Sequence, residues 1–474
     1  MENNSKPQNR VPVWGTRLGF YLAAVGSAFG LGNLWRFPYV AAENGGGAFV
    51  LLYLALAFLI GLPFLIGELL FGKLSRSSLL PATMKMVGER TQMAPFSKQP
   101  EELNRFWKKS FKGLARLSLV LNLLVLSYYA VISGWVLHFL IRILFGLLHV
   151  SHFDGAQSLH VLMSYGWLQI LLAGLHLIVV GVVVAKDLEQ GLEKWVGYAM
   201  PVFALLLGLL VYKSLSLPSA TEALRFFLYP DFSKLTISSP AQAIGHVFFT
   251  LSIGFGTMVT FGSYLRDESY LPLAGLRVCT LDAVISLLAG IMIFPLIVMG
   301  DQKVIGPDLF FKTVPELFGT MTGGLWFGVG FFLCLYLASL GASIGLVETL
   351  VANLREARRV PRKTGAVWIT ALCLVVALIP ALSSNALSFV HVGKRGLLEF
   401  WDVLLINWLL PVVALFISQM VSWRLRQDII AHEFEQTESG SAVQLYSHWI
   451  FVLRYVASPI IVLALILQAW AAFF

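Results

Sequence analysis

Charge is what this chain lacks. Only 13% of its 474 residues are Asp, Glu, Lys or Arg, where soluble domains carry roughly 25%. A fully solvated surface cannot be built from so few charges. Cysteine is equally scarce. Cys279, Cys334 and Cys373 each sit in an apolar run. Their spacing suggests neither a disulfide nor a metal site, so they read as small buried hydrophobes. No HExxH or similar cluster of His, Asp or Cys is present, which argues against a membrane-embedded enzyme. No continuous polar stripe is present either, which argues against a channel. The apolar runs do not alternate with polar residues as barrel strands do. What is abundant is apolar surface: 57% of residues are hydrophobic, and the mean hydropathy is +0.77.

Several apolar runs reach the ~20 residues needed to cross a bilayer as a helix. Lipid cannot satisfy an open sheet edge, so helices are expected. The expected fold is an all-α polytopic membrane protein with 11 transmembrane helices. The spans lie near 14–40, 47–72, 114–148, 162–185, 190–213, 240–265, 272–299, 322–355, 365–382, 397–423 and 446–473. The segment from Lys73 to Arg116, both included, holds ten Lys or Arg, whereas residues 149–161 hold none. The positive-inside bias then puts the N-terminus in the cytoplasm and Phe474 on the outer side. The net charge of +8 is topology signalling, not a nucleic-acid footprint. No cleavable signal peptide is expected, because the polar start leads straight into the first span.

Two spans carry helix-poor glycine clusters: Gly26-Ser27-Ala28-Phe29-Gly30-Leu31-Gly32-Asn33 in the first, and Ser252-Ile253-Gly254-Phe255-Gly256 in the sixth. Close packing through small residues explains one such cluster. A matched pair, five spans apart, points instead to a 5+5 inverted repeat with discontinuous helices 1 and 6 and a site at the midplane. The organisation expected is a cytoplasmic N-terminal segment (1–13), a first five-helix repeat (14–213), an extracellular loop (214–239), a second repeat (240–423), a cytoplasmic loop (424–445) and an eleventh helix (446–474). Unwinding bares N–H groups suited to a carboxylate and carbonyls suited to a small hard cation. Arg36, Glu43, Glu68, Asp282 and Glu348 fall in or beside apolar stretches. An intramembrane charge is costly and marks a functional position by default. Asp282, well inside span seven, is the most informative of them.

Three stretches of the first span region carry a family resemblance: Trp14-Gly15-Thr16-Arg17-Leu18-Gly19, Gly30-Leu31-Gly32-Asn33-Leu34-Trp35-Arg36-Phe37-Pro38 and Asn44-Gly45-Gly46-Gly47-Ala48-Phe49. Further on stand Tyr128-Tyr129, Ser133-Gly134-Trp135, Phe248-Phe249-Thr250-Leu251-Ser252 and Glu399-Phe400-Trp401. Together they resemble the neurotransmitter:sodium symporter family, with its leucine-transporter-like fold, from about residue 14 to the end. The resemblance implies a bacterial inner (plasma) membrane protein that imports a neutral, hydrophobic amino acid with a cation, sodium foremost, by alternating access. It implies no obligate protein partner beyond the lipid bilayer. The substrate carboxylate would meet the Leu31 and Gly32 N–H groups and the Tyr129 hydroxyl. The ammonium would meet carbonyls near Ala28, Phe249 and Thr250. Ser27, Gly30, Val125, Ser252, Phe255, Ala342 and Leu346 would shape or border the pocket. Phe249 would roof it, Arg36 and Glu399 would form the outer gate, and Tyr264, Glu356 and Arg10 the inner one, with Arg10 one residue off the family spacing.

Three departures from the family pattern matter. In the first cation site, implied to hold the Ala28 carbonyl, Asn33, Thr250 and helix seven, the usual amide is Asp282. Tyr53 and Ser286 match chloride-site positions, but His246 stands where a glutamine is usual. No chloride requirement is therefore expected, with Asp282 supplying the negative charge. In the second cation site, two hydroxyl residues are replaced by Gly341 and Ala342. Only the carbonyls of Gly26, Phe29 and Ala338 remain, and the site is expected to be weak or absent. A shifted register would bring in Ser339 or Ser343. Proton coupling, sodium independence and a transport-dead sensor of the same fold stay open at this level.

Overall fold

The low charge and recurrent apolar runs resolve into long helices whose outward faces are apolar. The computed structural model describes residues 12–88, 104–149, 154–299, 309–393, 395–435 and 442–473. The chain begins with α1 (Arg17–Ala28) and α2 (Gly32–Glu43), followed by α3 (Gly47–Ser75) and α4 (Leu79–Met86). Next come α5 (Arg105–His149), α6 (Gly155–Ser164), α7 (Gly166–Val184), α8 (Glu189–Leu215) and α9 (Ala220–Leu228). Then follow α10 (Ser239–Thr250), α11 (Thr257–Ser263), α12 (Leu271–Met299), α13 (Val314–Thr320) and α14 (Gly324–Arg358). The last elements are α15 (Arg362–Leu382), α16 (Leu397–Arg424), α17 (Gln427–Phe434) and α18 (Leu445–Ala471). A two-stranded hairpin pairs His391–Val392 with Arg395–Gly396 just before α16.

Among the described residues, nine helices are long and apolar enough to cross a membrane, or ten when α1 and α2 are taken as one bent span. The expected sixth span, near 240–265, is split into α10 and α11, so neither piece reaches spanning length. α5 begins before the expected boundary because the basic stretch from Arg105 to Arg116 stays helical. At 45 residues it is about 67 Å long, more than the ~45 Å of a whole bilayer. The expected connecting loops are also not featureless: 214–239 contains α9 and 424–445 contains α17. α9 is strongly amphipathic and sinks Ala223 and Phe227 into the protein.

Two layers position the site. α1, α2, α10 and α11 run through the middle, with α3, α12 and α14 packed against them, while α5 packs on α14 and bonds to both breaks. α7 and α15 pack together outside them. Their outer faces show Trp167, Leu171, Ile178 and Val182 on α7, and Val367, Trp368 and Val375 on α15. Such apolar stripes belong in hydrocarbon, while the polar residues turn inward.

Candidate functional site

Both interrupted segments have the irregular backbone that their glycines invite. α1 stops at Ala28, Phe29 is extended (φ −89°, ψ 118°), and α2 resumes at an angle of 44°. A methyl group on Gly30 would collide with the Tyr129 hydroxyl. Between α10 and α11, Ser252, Gly254 and Gly256 have φ of 53°, 86° and 74°. Only glycine adopts that region without strain, and at Ser252 it costs on the order of 1–3 kcal/mol. Side chains from outside hold the loop. Glu68 on α3 accepts from the Gly254 N–H at 2.7 Å, Ser118 on α5 donates to the Gly254 carbonyl at 2.6 Å, and the Ser252 hydroxyl donates to the Ser27 carbonyl at 3.0 Å. The last of these ties one break to the other.

Between the breaks lies a cavity of about 20 Å³ lined by Ser27, Ala28, Gly30, Gly32, Tyr129, Phe249, Thr250, Ser252, Phe255, Ala342 and Leu346. That is room for about one water molecule, so the walls are nearly closed. Of the expected pocket residues, only Leu31 and Val125 are not among its lining. The Leu31 N–H instead donates to the Tyr129 hydroxyl at 2.7 Å, and Val125 is fully buried. Phe249 lies across the cavity, with its ring centroid 6.4 Å from that of Tyr129.

Beside the cavity, Asp282 joins four elements. Its Oδ1 accepts from the Asn33 side-chain amide at 2.7 Å. Its Oδ2 accepts from the Tyr53 and Thr250 hydroxyls, each at 3.0 Å. Ser286 closes the ring, 2.9 Å from the Asn33 amide nitrogen and 3.0 Å from the Tyr53 hydroxyl. The carboxylate and the Tyr53, Thr250 and Ser286 hydroxyls are hard oxygen donors of the kind a small cation takes, while the Asn33 amide turns its nitrogen to the ring and its oxygen to the Gly30 N–H, 3.3 Å away. His246 is not in this ring. It stacks on Phe37 and its Nδ1 lies 3.4 Å from Arg36, so its polar edge faces the outer end of the site.

At the position of the second cation site, α1 and α14 touch. A Cβ on Gly341 would run into the Gly26 carbonyl oxygen. The two nearby hydroxyls point elsewhere: Ser339 donates to the Tyr336 carbonyl at 2.8 Å, and Ser343 bonds His176 on α7 at 2.9 Å. The carbonyl that would face an ion there faces the helix backbone instead.

The charged pairs at the two ends differ from those expected. Arg36 lies 3.4 Å from Asp402, not Glu399, and donates to Asn407 at 2.9 Å. Tyr128 donates to Asp402 at 3.0 Å. Glu399 pairs with Arg395 at the surface, 3.3 Å away. Glu399 and Asp402 are three positions apart on one helix and share a face, so the motif alone cannot separate them. Above this pair opens a cavity of about 400 Å³. At the other end Tyr264 donates to Glu348 at 2.9 Å, and Arg362 also binds Glu348. Glu356 instead accepts from the Ser78 N–H. Arg10 lies outside the described residues. Glu193 accepts from the Gly15 and Thr16 N–H groups, both at 3.0 Å. Glu193 and Asp402 were missed by sequence reasoning, since each lies in the first two turns of a helix, where charge is ordinary.

A family model described as the sodium:neurotransmitter symporter family matches residues 11–88 and 145–473. This chain belongs to that family. It is similar to an uncharacterized sodium-dependent transporter of Bacillus subtilis, YhdH, with 33% identity over 95% of this chain and 96% of the relative. A second uncharacterized sodium-dependent transporter, from Haemophilus influenzae, is 30% identical over 99% of both chains. The Drosophila melanogaster sodium-dependent serotonin transporter is 27% identical over 72% of this chain and 59% of that one. Among solved structures, MhsT in complex with L-phenylalanine matches with a TM-score of 0.84 and 30% identity, covering 96% of this chain and 99% of that one. Membership makes the chain a multi-pass, sodium-coupled symporter rather than an enzyme. The leucine-transporter-like fold follows from the same match.

Proposed function

We propose that this symporter imports a neutral, hydrophobic amino acid together with one sodium ion and without chloride, across a bacterial plasma membrane. One observation carries the reading: the apolar cavity between the two breaks sits directly beside the Asp282 ring, with Thr250 belonging to both. The Tyr129 hydroxyl and the backbone N–H groups of the first break supply donors for the substrate carboxylate. Phe249, Phe255, Ala342 and Leu346 leave no charge to meet a charged side chain. A solved relative, MhsT, holds L-phenylalanine, which supports an apolar side chain here.

Sodium would bind between the Ala28 carbonyl, Asn33, Thr250 and Asp282, completed by the substrate carboxylate. Each ligand then raises affinity for the other by the same factor. Asp282 supplies the fixed negative charge beside the ion, and Tyr53 and Ser286 hold its carboxylate in place. The loss of hydroxyls at Gly341 and Ala342, with backbone contact in their place, supports a single sodium. The core helices would rock within the two five-helix halves, 14–213 and 240–423, closing over Arg36 and Asp402 and opening past Tyr264 and Glu348.

Uptake of labelled phenylalanine and leucine into proteoliposomes tests the reading. Accumulation is expected with an inward sodium gradient and unchanged when gluconate replaces chloride. Binding without accumulation would favour a transport-dead sensor. Accumulation driven by a pH gradient in sodium-free buffer would favour proton coupling.

A further inference from the structure

A second cleft, of about 170 Å³, lies where α1 begins. It is enclosed by the start of α1, the segment linking α11 to α12, and the first turns of α12. Three arginines line it from three different elements: Arg17 on α1, Arg266 in the link and Arg277 on α12. Glu268 is the one acid among the lining residues. It lies 3.7 Å from Arg17, both being largely exposed. The cleft therefore carries a surplus of two positive charges. Two of the arginines are oriented by the protein. Arg266 donates to the Trp14 and Gly15 carbonyls. Arg277 stacks on the Tyr21 ring, 5.3 Å from its centroid, and donates to its hydroxyl at 3.2 Å. Held this way, each retains further donors for an oxyanion.

The wall of the cleft runs into the lipid-facing side of α12. Leu273 lines it, and Leu276, Leu281 and Val284 continue from it as an exposed stripe along the same helix. Tyr21 and Tyr270, both half-buried, also line the cleft, and such amphipathic rings favour the membrane interface. A basic cleft at headgroup level, opening onto an apolar stripe, matches one class of ligand. We propose that it binds a phospholipid of net negative headgroup, with the phosphate among Arg17, Arg266 and Arg277 and an acyl chain along Leu273, Leu276 and Val284. The lipid bridges α1 to α12, so its presence resists separation of α1 from the rest of the bundle. This inference rests on the membrane reading of the chain and not on the proposed substrate or ion.

Native mass spectrometry of the detergent-purified protein tests it. One retained phosphatidylglycerol is expected, with phosphatidylcholine not retained. Arg17→Gln or Arg277→Gln should each weaken phosphatidylglycerol binding about fivefold, and the pair about thirtyfold. Arg277→Lys, which keeps the charge, should bind within about twofold of the parent. Both substituted positions are exposed, so the melting temperatures of the lipid-free variants should match the parent; a variant that melts earlier is replaced for the comparison by its alanine counterpart, which also lacks the charge. Equal retention by the parent and the double variant would overturn the proposal. So would displacement of the lipid by millimolar inorganic phosphate, which would make the site one for a free anion.

Discussion

The Asp282 carboxylate is almost fully enclosed, and the partners the structure gives it are all neutral: Asn33, Tyr53 and Thr250. Taking an ionised carboxylate out of water costs several kcal/mol unless a counter-charge accompanies it. Hydrogen bonds from neutral donors offset part of that, and the proposed sodium ion would offset the rest. Asp282→Asn keeps the shape and removes the charge. Sodium half-saturation in the uptake assay should rise at least about tenfold, since hydrogen bonds and contacts to a charged group are worth about 1.5–3 kcal/mol. An unchanged sodium dependence would remove Asp282 from the cation site. Tyr129 makes a smaller contribution. Its hydroxyl already meets the Leu31 N–H at 2.7 Å and has capacity to donate to a carboxylate. Tyr129→Phe should raise substrate KM about two- to tenfold, the worth of one net hydrogen bond, with the sodium dependence little altered.

At the scale of elements, the approach of α14 to α1 is decided by the absence of a side chain. Gly341 lets helix backbone meet the Gly26 carbonyl. Gly341→Ala should push the helices apart and lower thermal stability by about 1–3 kcal/mol, as overpacking does, seen as an earlier melt in detergent. The outer pair gives a sharper discrimination. Asp402 binds both Arg36 and Tyr128, whereas Glu399 holds only the exposed Arg395. Asp402→Asn should cut uptake severalfold, while Glu399→Gln should stay near the parent rate; the reverse order would restore Glu399 as the gate acid. These elements also mark what the sequence could and could not reveal. The breaks were legible because glycine clusters are rare inside apolar helices, and Asp282 because a lone acid in such a run needs a reason. The partner of Arg36 was not, because Glu399 and Asp402 share a helix face and the choice depends on the tilt of α16. Nor was the pairing of Tyr264 with Glu348, which requires knowing how α11 meets α14. The contact of Gly341 with Gly26 was invisible for the same reason: the missing hydroxyls could be read, but not what would occupy their place.

For the whole molecule, the number of sodium ions sets what the carrier can accumulate. A neutral amino acid is a zwitterion with no net charge, so each sodium carries one positive charge inward per cycle. At 100 mV this contributes about 2.3 kcal/mol, and a tenfold sodium gradient contributes about 1.4 kcal/mol more. One sodium therefore supports a substrate ratio of about 500-fold, and two would support about the square of that. The structure bears on the choice through two places at once. The Asp282 ring gathers a carboxylate, three hydroxyls and an amide around one point, and beside Gly341 the Gly26 carbonyl faces backbone. One sodium is the expected stoichiometry. In voltage-clamped proteoliposomes, the reversal potential should shift as for one charge and one sodium per amino acid, and initial uptake should rise with sodium without sigmoidicity. A charge-to-substrate ratio of two would mean that α1 and α14 part during the cycle to admit a second ion, and the closed contact at Gly341 would then belong to only one of the carrier's states.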